Sequence, residues 1–323
     1  MAGAEDNARL RPPESTAMSR IRANLLLVLI ALIWGSAFVA QSHGMEHIGP
    51  MLFTGVRFLV GALVVLPLAW LESRRLKADQ RGLLPHDGLK IMGLGFLLLL
   101  GAAMQQIGIV HTTVTNAGFL TALYVPLVPV LGYLLLRQLP HWSVWPGALA
   151  CLVGAFLLSG AKELDIGVGD LWVMVSALPW ALHVLMVGRV ADRMAAPFTV
   201  ACGQFLFCGL VALAWGLAFE SYSWAGLQAA TWPILYTGVM SVGVAFTAQV
   251  VAQRYAHAAD AAIILSSETL FAAGFGFVLM GDRLSPAGLL GCGLIFVSMM
   301  AVQLLPMLGS LHSSWLARGN QAS

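Results

Sequence analysis

The sequence predicts an all-α integral membrane protein of ten transmembrane helices built as two inverted five-helix repeats. Three observations predict it: a composition poor in charge, ten apolar runs of spanning length, and a faint self-similarity at about half the chain. Of 323 residues, 59% are hydrophobic and only 10% are charged, against about 25% charged in an ordinary soluble domain. A water-exposed fold of this length would leave large apolar patches on its surface, and lipid removes that problem.

A helix needs about 20 apolar residues to cross the hydrocarbon layer. Ten segments meet this: 24–40, 51–71, 90–110, 115–136, 143–159, 171–188, 197–218, 232–252, 261–280 and 286–305. Connections of a few residues, as around His111 and Pro140, make successive helices antiparallel neighbours. Arg20 and Arg22 precede the first segment in the manner of a signal peptide. The bulky Phe38 spoils a cleavage site before Gln41, so segment 1 is read as a spanning helix. Lysine and arginine set the orientation. With the N-terminus inside, 14 of the 17 basic residues fall in inner segments, only Lys162 and Arg283 fall outside, and Arg57 lies within a span. This places both termini in the cytoplasm. Residues 1–20 read as a disordered cytoplasmic tail and 307–323 as a C-terminal one.

A shift of 144 to 147 residues superimposes the halves, 21–160 on 161–306. Trp34 meets Trp180, Arg57-Phe58 meets Gln204-Phe205, Gln105 meets Gln249, Asn116-Ala117 meets Asp260-Ala261, and Gly147 meets Gly291. Five helices per half is odd, so the second half enters the membrane from the opposite side. Inverted repeats of this kind are a mark of secondary transporters.

Four pieces carry a family resemblance: ALIWGSAFVA at 31–40, TGVRFLVGA at 54–62, TNAGFLTALYVPLVPVLG at 115–132, and the stretch from Asp260 through SSET to GDRLSPAGLLGCGLIFV at 297. In this order the chain resembles the drug/metabolite transporter superfamily, specifically proteins with two EamA-type repeats, over about residues 22–305. The resemblance implies a ten-helix inner-membrane exporter of amino acids or related metabolites, with a central cavity between the repeats. Two departures stand out. Thr269 follows Glu268 where the family often has proline. Arg137-Gln138 and Asp282 stand where a glutamate often follows segments 4 and 9.

Glu268 is the only acid near mid-span, about 12 Å deep at 1.5 Å per residue. A charge there costs at least ~2.5–3.5 kcal/mol on insertion scales, so it faces a cavity or a partner; it is a candidate proton carrier or ammonium ligand, or a packing acid. Arg57 lies about one and a half turns from the outer end of segment 2. It could snorkel to the interface, pair structurally, or bind a substrate carboxylate. Trp34, Tyr124, Trp180 and His183 share the mid-span zone, with Gln105 and Gln249 a turn or two away. Rings around a few polar tips suit a small organic ligand. Together with Glu268 these six form the candidate binding set, and segments 1, 3, 4, 6, 8 and 9 should line the cavity with 5 and 10 peripheral. Pro126 and Pro129 should bend segment 4.

Other functions lack their signatures. Cys151, Cys202, Cys208 and Cys292 sit in apolar runs without a CxxC pair, which suggests neither a disulfide frame nor a zinc site. No phosphate loop, ATP-binding domain, cofactor motif or basic run for nucleic acid is found, and no catalytic cluster such as His-Glu-x-x-His lies in the spans. The partners expected are a small-molecule substrate and the lipid bilayer, with a membrane enzyme or a channel as alternatives. In a background lacking the native cysteines, Ser223→Cys should react with an impermeant maleimide from outside and Gln80→Cys only after permeabilisation. The opposite pattern would reverse the orientation.

Overall fold

The computed structural model describes residues 18–79, 84–112, 114–159, 167–275, 277–278 and 285–319. The N-terminal tail to residue 17, Gln80, Arg81, Lys162, Asp282 and Arg283 lie outside these. Every regular element among the described residues is helical. Segments 1 to 3 are α1 (Arg20–Met45), α2 (Pro50–Ala78) and α3 (Pro85–His111). Segment 4 is split into α4 (Val114–Thr121) and α5 (Tyr124–Leu136), and segment 5 is α6 (Val144–Ser159). Then come α7 (Val168–Met194), α8 (Pro197–Phe219) and the short α9 (Trp224–Ala229). Segment 8 comprises α10 (Thr231–Tyr236), a π-helical stretch over Thr237–Phe246 and α11 (Thr247–Ala252). Segment 9 is split into α12 (Ala258–Leu265) and α13 (Glu268–Phe275), and segment 10 is α14 (Pro286–Gly319). Eight of the ten predicted segments are long and apolar enough to cross a membrane; segments 5 and 10 hold shorter apolar helices, Val144–Leu157 and Pro286–Val302.

The polarity of the molecule is inside out. Leu63, Leu134, Leu149 and Leu290 are among many aliphatics that point outward, while Arg57, Gln106, Gln204 and Gln249 are buried. That is the arrangement lipid demands, since outward polar groups would find no water.

The packing follows one pattern. α2 lies along α8, α3 along α7, and α6 along α14. α3 also touches α8, as the π-helical stretch touches α2; α13 crosses α1, as α5 crosses α7. α1 also packs on α10, the π-helical stretch and α11, the counterpart of α3 on α7, so exchanging segments 1–5 for 6–10 turns this set of contacts into itself.

Two glutamates join α2 to α8. The Glu220 carboxylate accepts from Met51 N and Leu52 N, both at 2.8 Å, at the start of α2. Glu72 accepts from Phe198 N at 3.3 Å, Thr199 N at 2.7 Å and Thr199 Oγ1 at 2.8 Å, at the start of α8. Each helix begins with a proline, Pro50 or Pro197, and each leaves first-turn amides without an intrahelical acceptor. The other helix supplies the acceptor from its far end, so the two run antiparallel and cap one another.

Segments 4 and 9 are not continuous helices. The sequence places the bend of segment 4 at Pro126 and Pro129; the break instead falls a turn earlier, at Ala122–Leu123. The reason is local. Pro126 has no N–H for the Ala122 carbonyl four residues back and its ring crowds that carbonyl, so Val125 N takes it at 3.0 Å. In segment 9 the break is at Ser266–Ser267, without a proline. The Ser266 and Ser267 hydroxyls bond back to the carbonyls of Ile263 and Ile264, at 2.8 and 2.6 Å, which loosens the helical ladder. Ala122 and Ser266 are 144 residues apart, the repeat shift. Several helices run past their predicted ends, as α2 does to Ala78 and α7 to Met194, and α14 furthest, to Gly319, through most of the predicted tail, because falling hydropathy marks the membrane edge and not the helix end.

Removing either cap should lower stability. Glu72→Ala and Glu220→Ala should each cost on the order of 1 kcal/mol, read as a drop in melting temperature in detergent. Their effects should add within about 0.5 kcal/mol, since the caps sit at opposite ends of the α2–α8 pair. A strongly non-additive double variant would show that the caps do not act locally.

Candidate functional site

Between the halves lies a cavity of about 50 Å³, well below the roughly 300–1,000 Å³ usual for small-molecule sites. Its floor is aromatic. Phe246, at the end of the π-helical stretch, has its ring centroid 4.5 Å from that of Trp34 and stacks on Trp180 at 5.9 Å with planes 13° apart. A π-helical turn rotates the side chains that follow it and is frequent at functional sites. Here it brings Phe246 between the two tryptophans and leaves the Ser241 carbonyl to accept from Trp34 Nε1 at 3.3 Å.

Two glycines allow the walls to close. A Cβ on Gly35 would lie 2.7 Å from the Glu268 carbonyl oxygen, so only glycine lets α1 pass the break in segment 9 with Trp34 beside it. A Cβ on Gly101 would lie 2.9 Å from the Trp180 ring, so α3 supplies a flat bed for the indole.

The polar wall runs from Gln41 and Arg57 through Gln105, Thr121 and Tyr124 to Gln249 and Glu268. Gln105 Nε2 donates to Thr121 Oγ1 at 2.8 Å, and the Tyr124 hydroxyl donates to the Ala262 carbonyl at 3.3 Å. Arg57 does not snorkel. It is 3% exposed, held between the rings of Phe53 and Phe58 with its guanidinium carbon 5.6 and 5.1 Å from their centres. It donates to Gln41 Oε1 at 2.5 Å and Gln106 Oε1 at 3.5 Å. Neither Arg57 nor Glu268 forms an ion pair with a described residue. Glu268 opens the first turn of α13 directly after the break and lines the cavity. Three polar atoms of lining residues are buried without a hydrogen-bond partner among the described residues: Arg57 Nε, Trp180 Nε1 and Gln249 Oε1. The site thus offers one unneutralised cation, one acid and unused donors and acceptors above an aromatic floor.

A family model described as the EamA-like transporter family matches residues 21–160 and again residues 167–304. The chain belongs to the EamA-like transporter family. It is a multi-pass membrane protein of the drug/metabolite transporter superfamily and a transporter of small metabolites. An uncharacterized transporter of Archaeoglobus fulgidus is 31% identical over 89% of this chain and 87% of its own length. The threonine/homoserine exporter RhtA of Escherichia coli is 26% identical over 85% and 89%. The S-adenosylmethionine/S-adenosylhomocysteine transporter of Chlamydia trachomatis is 22% identical over 85% and 89%. A crystal structure at 21% identity superposes with a TM-score of 0.74 over 89% of this chain and 99% of that one, a likeness of fold.

In this EamA-family chain, six of the seven candidate residues line one cavity: Trp34, Gln105, Tyr124, Trp180, Gln249 and Glu268. His183 does not. It is fully buried behind Trp180, with Nε2 2.8 Å from Gln204 Oε1. That bond joins segment 7 to segment 6, as Arg57–Gln41 joins segment 2 to segment 1. No described residue of segments 5 or 10 lines the cavity. Segment 2 enters through Arg57, which the expected lining omitted. Phe246, Gln41, Thr121 and Ser241 were also not anticipated. The signal for Gln41 was its place as an amide near the end of segment 1; nothing in the sequence marks the π-helical turn that delivers Phe246.

Trp34→Ala and Trp180→Ala should raise the transport KM at least about tenfold, or about 1.4 kcal/mol, at wild-type expression. His183→Ala should leave KM within about twofold and instead lower thermal stability by roughly 1–3 kcal/mol, the cost of an unpaired Gln204. Normal kinetics in both tryptophan variants would remove the floor from the binding site.

Proposed function

We propose that the chain is a ten-helix secondary carrier of two inverted repeats, residues 21–160 and 161–306, that exports a small zwitterionic metabolite, an amino acid or close relative. It would work across the inner membrane by alternating access with both termini in the cytoplasm. One observation carries the substrate class. Arg57 and Glu268, of opposite sign, line the same cavity and are ion-paired to no described residue. An ionised group at that depth costs at least ~2.5–3.5 kcal/mol on insertion scales, which a ligand of opposite charge offsets. An α-amino carboxylate answers both, its carboxylate on the guanidinium and its ammonium on the glutamate, with the side chain on the Trp34–Phe246–Trp180 floor. Threonine, homoserine and S-adenosylmethionine, named for two relatives, share that α-amino carboxylate. The self-mapping packing and the antiparallel α2–α8 pair support the inverted arrangement.

The test uses purified protein in liposomes, loaded with a panel of amino acids and of their methyl esters and N-acetyl derivatives, with and without a pH gradient. Free amino acids should drive counterflow, and derivatives lacking either charge should fail to compete. Glu268→Gln keeps the shape and should insert and fold normally while losing at least about 90% of flux. Esters and N-acetyl compounds that compete as well as the parent would sink the zwitterion reading. Unaltered Glu268→Gln flux at every pH would assign this acid to packing.

A further inference from the structure

His43, Glu46 and His47 stand together at the end of α1, and nothing in the cavity uses them. Their ligand atoms all lie within 4.8 Å of one another. His43 Nδ1 is 3.3 Å from Glu46 Oε2, and the two imidazoles meet edge to face with centroids 5.3 Å apart. The backbone arranges this. α1 ends at Met45, but Glu46 keeps helical angles (φ −64°, ψ −19°) and His47 N bonds back to the Gly44 carbonyl at 3.3 Å. Residues i, i+3 and i+4 therefore remain on one face. A histidine pair four apart on one helical face is a metal-binding spacing.

We propose that His43, Glu46 and His47 form a site for a divalent transition ion, zinc in the first place, on the end of α1. Two imidazoles and one carboxylate are the donor set of an open three-ligand zinc site, which leaves a fourth position to water. Ligands on a tetrahedral zinc at about 2.1 Å are about 3.4 Å apart. The present separations close to that by rotation of exposed side chains, without moving the backbone. Charge favours the ion: residues 40–56 contain no lysine or arginine, so no local cation competes for Glu46. The site contains no cysteine, so cysteine spacing gives no sign of it.

The location gives the ion a consequence. Gln41, two residues before His43, is the acceptor that holds Arg57, and Gly44 packs directly on Phe53, whose ring flanks Arg57. An ion held by residues 43, 46 and 47 fixes the last turn of α1 to the connection leading into α2. It therefore restrains the part of α1 that carries Gln41 and slows transport when added from the side on which this turn is exposed.

Zinc titrated by calorimetry into the tag-free, detergent-purified chain should bind at one site per chain with micromolar affinity. His43→Ala/His47→Ala should lose at least a hundredfold in affinity, and Glu46→Gln should weaken it about tenfold. His86→Ala/His111→Ala, which changes two other histidines, should leave it unchanged. In proteoliposomes, 50 µM zinc should slow wild-type flux severalfold and leave the His43/His47 variant unaffected. Equal binding by wild type and that variant, or no binding below 1 mM, would overturn the site. Binding at the site with unchanged flux would overturn the restraint.

Discussion

The first turn of a helix has amides without intrahelical acceptors, and the fold is arranged around meeting that demand. The reciprocal caps between α2 and α8 are its clearest expression. Glu220 closes the start of one helix and Glu72 the start of the other. The pair thereby becomes an antiparallel unit on which the rest is hung. α3 and the π-helical stretch pack against it from the two halves, and Arg57 projects from it into the cavity. Phe58 and Phe205, equivalent in the two halves, meet with ring centroids 6.1 Å apart.

The same demand explains why the broken helices are tolerated. Segment 4 loses a helical bond to Pro126 and recovers it through Val125 N; segment 9 loosens at two serines whose hydroxyls take back the freed carbonyls. Different chemistry yields breaks at equivalent places. The residue after each break turns to the cavity, Tyr124 in one half and Glu268 in the other. Where the resemblance leads one to expect proline after the glutamate, Thr269 donates to the Ser266 carbonyl at 2.8 Å. The local chain is shaped by hydroxyls instead of a ring.

How much of this the sequence discloses depends on the range of the interaction. Hydropathy is summed over some twenty residues, so the segments were legible within a turn at most ends. The mid-span polar residues were legible too, because in an apolar run a tryptophan, glutamine or glutamate stands out. Direction around the helix was not. His183 shares the depth of Trp180 but faces Gln204, and only the rotation of α7 against α8 decides that. The caps were missed for a related reason: Glu72 and Glu220 lie 148 residues apart, near the repeat shift, yet at segment edges where acids are unremarkable. The π-helical turn leaves no trace in composition, so Phe246 reads as one more apolar residue.

The repeat also bears on how charge is divided. Arg57 in the first half corresponds to Gln204 in the second, and Glu268 in the second corresponds to Tyr124 in the first. At each pair of equivalent positions one half is charged and the other neutral. The cation belongs to one half and the acid to the other. On the proposed reading, a ligand held by both groups would join the halves across the cavity, and its departure would untie them. Ligand binding would then be coupled to the motion of the halves through these two groups. The Gln204–His183 bond fills the place that a second arginine would otherwise occupy, which gives the buried histidine a structural reason to lie outside the site.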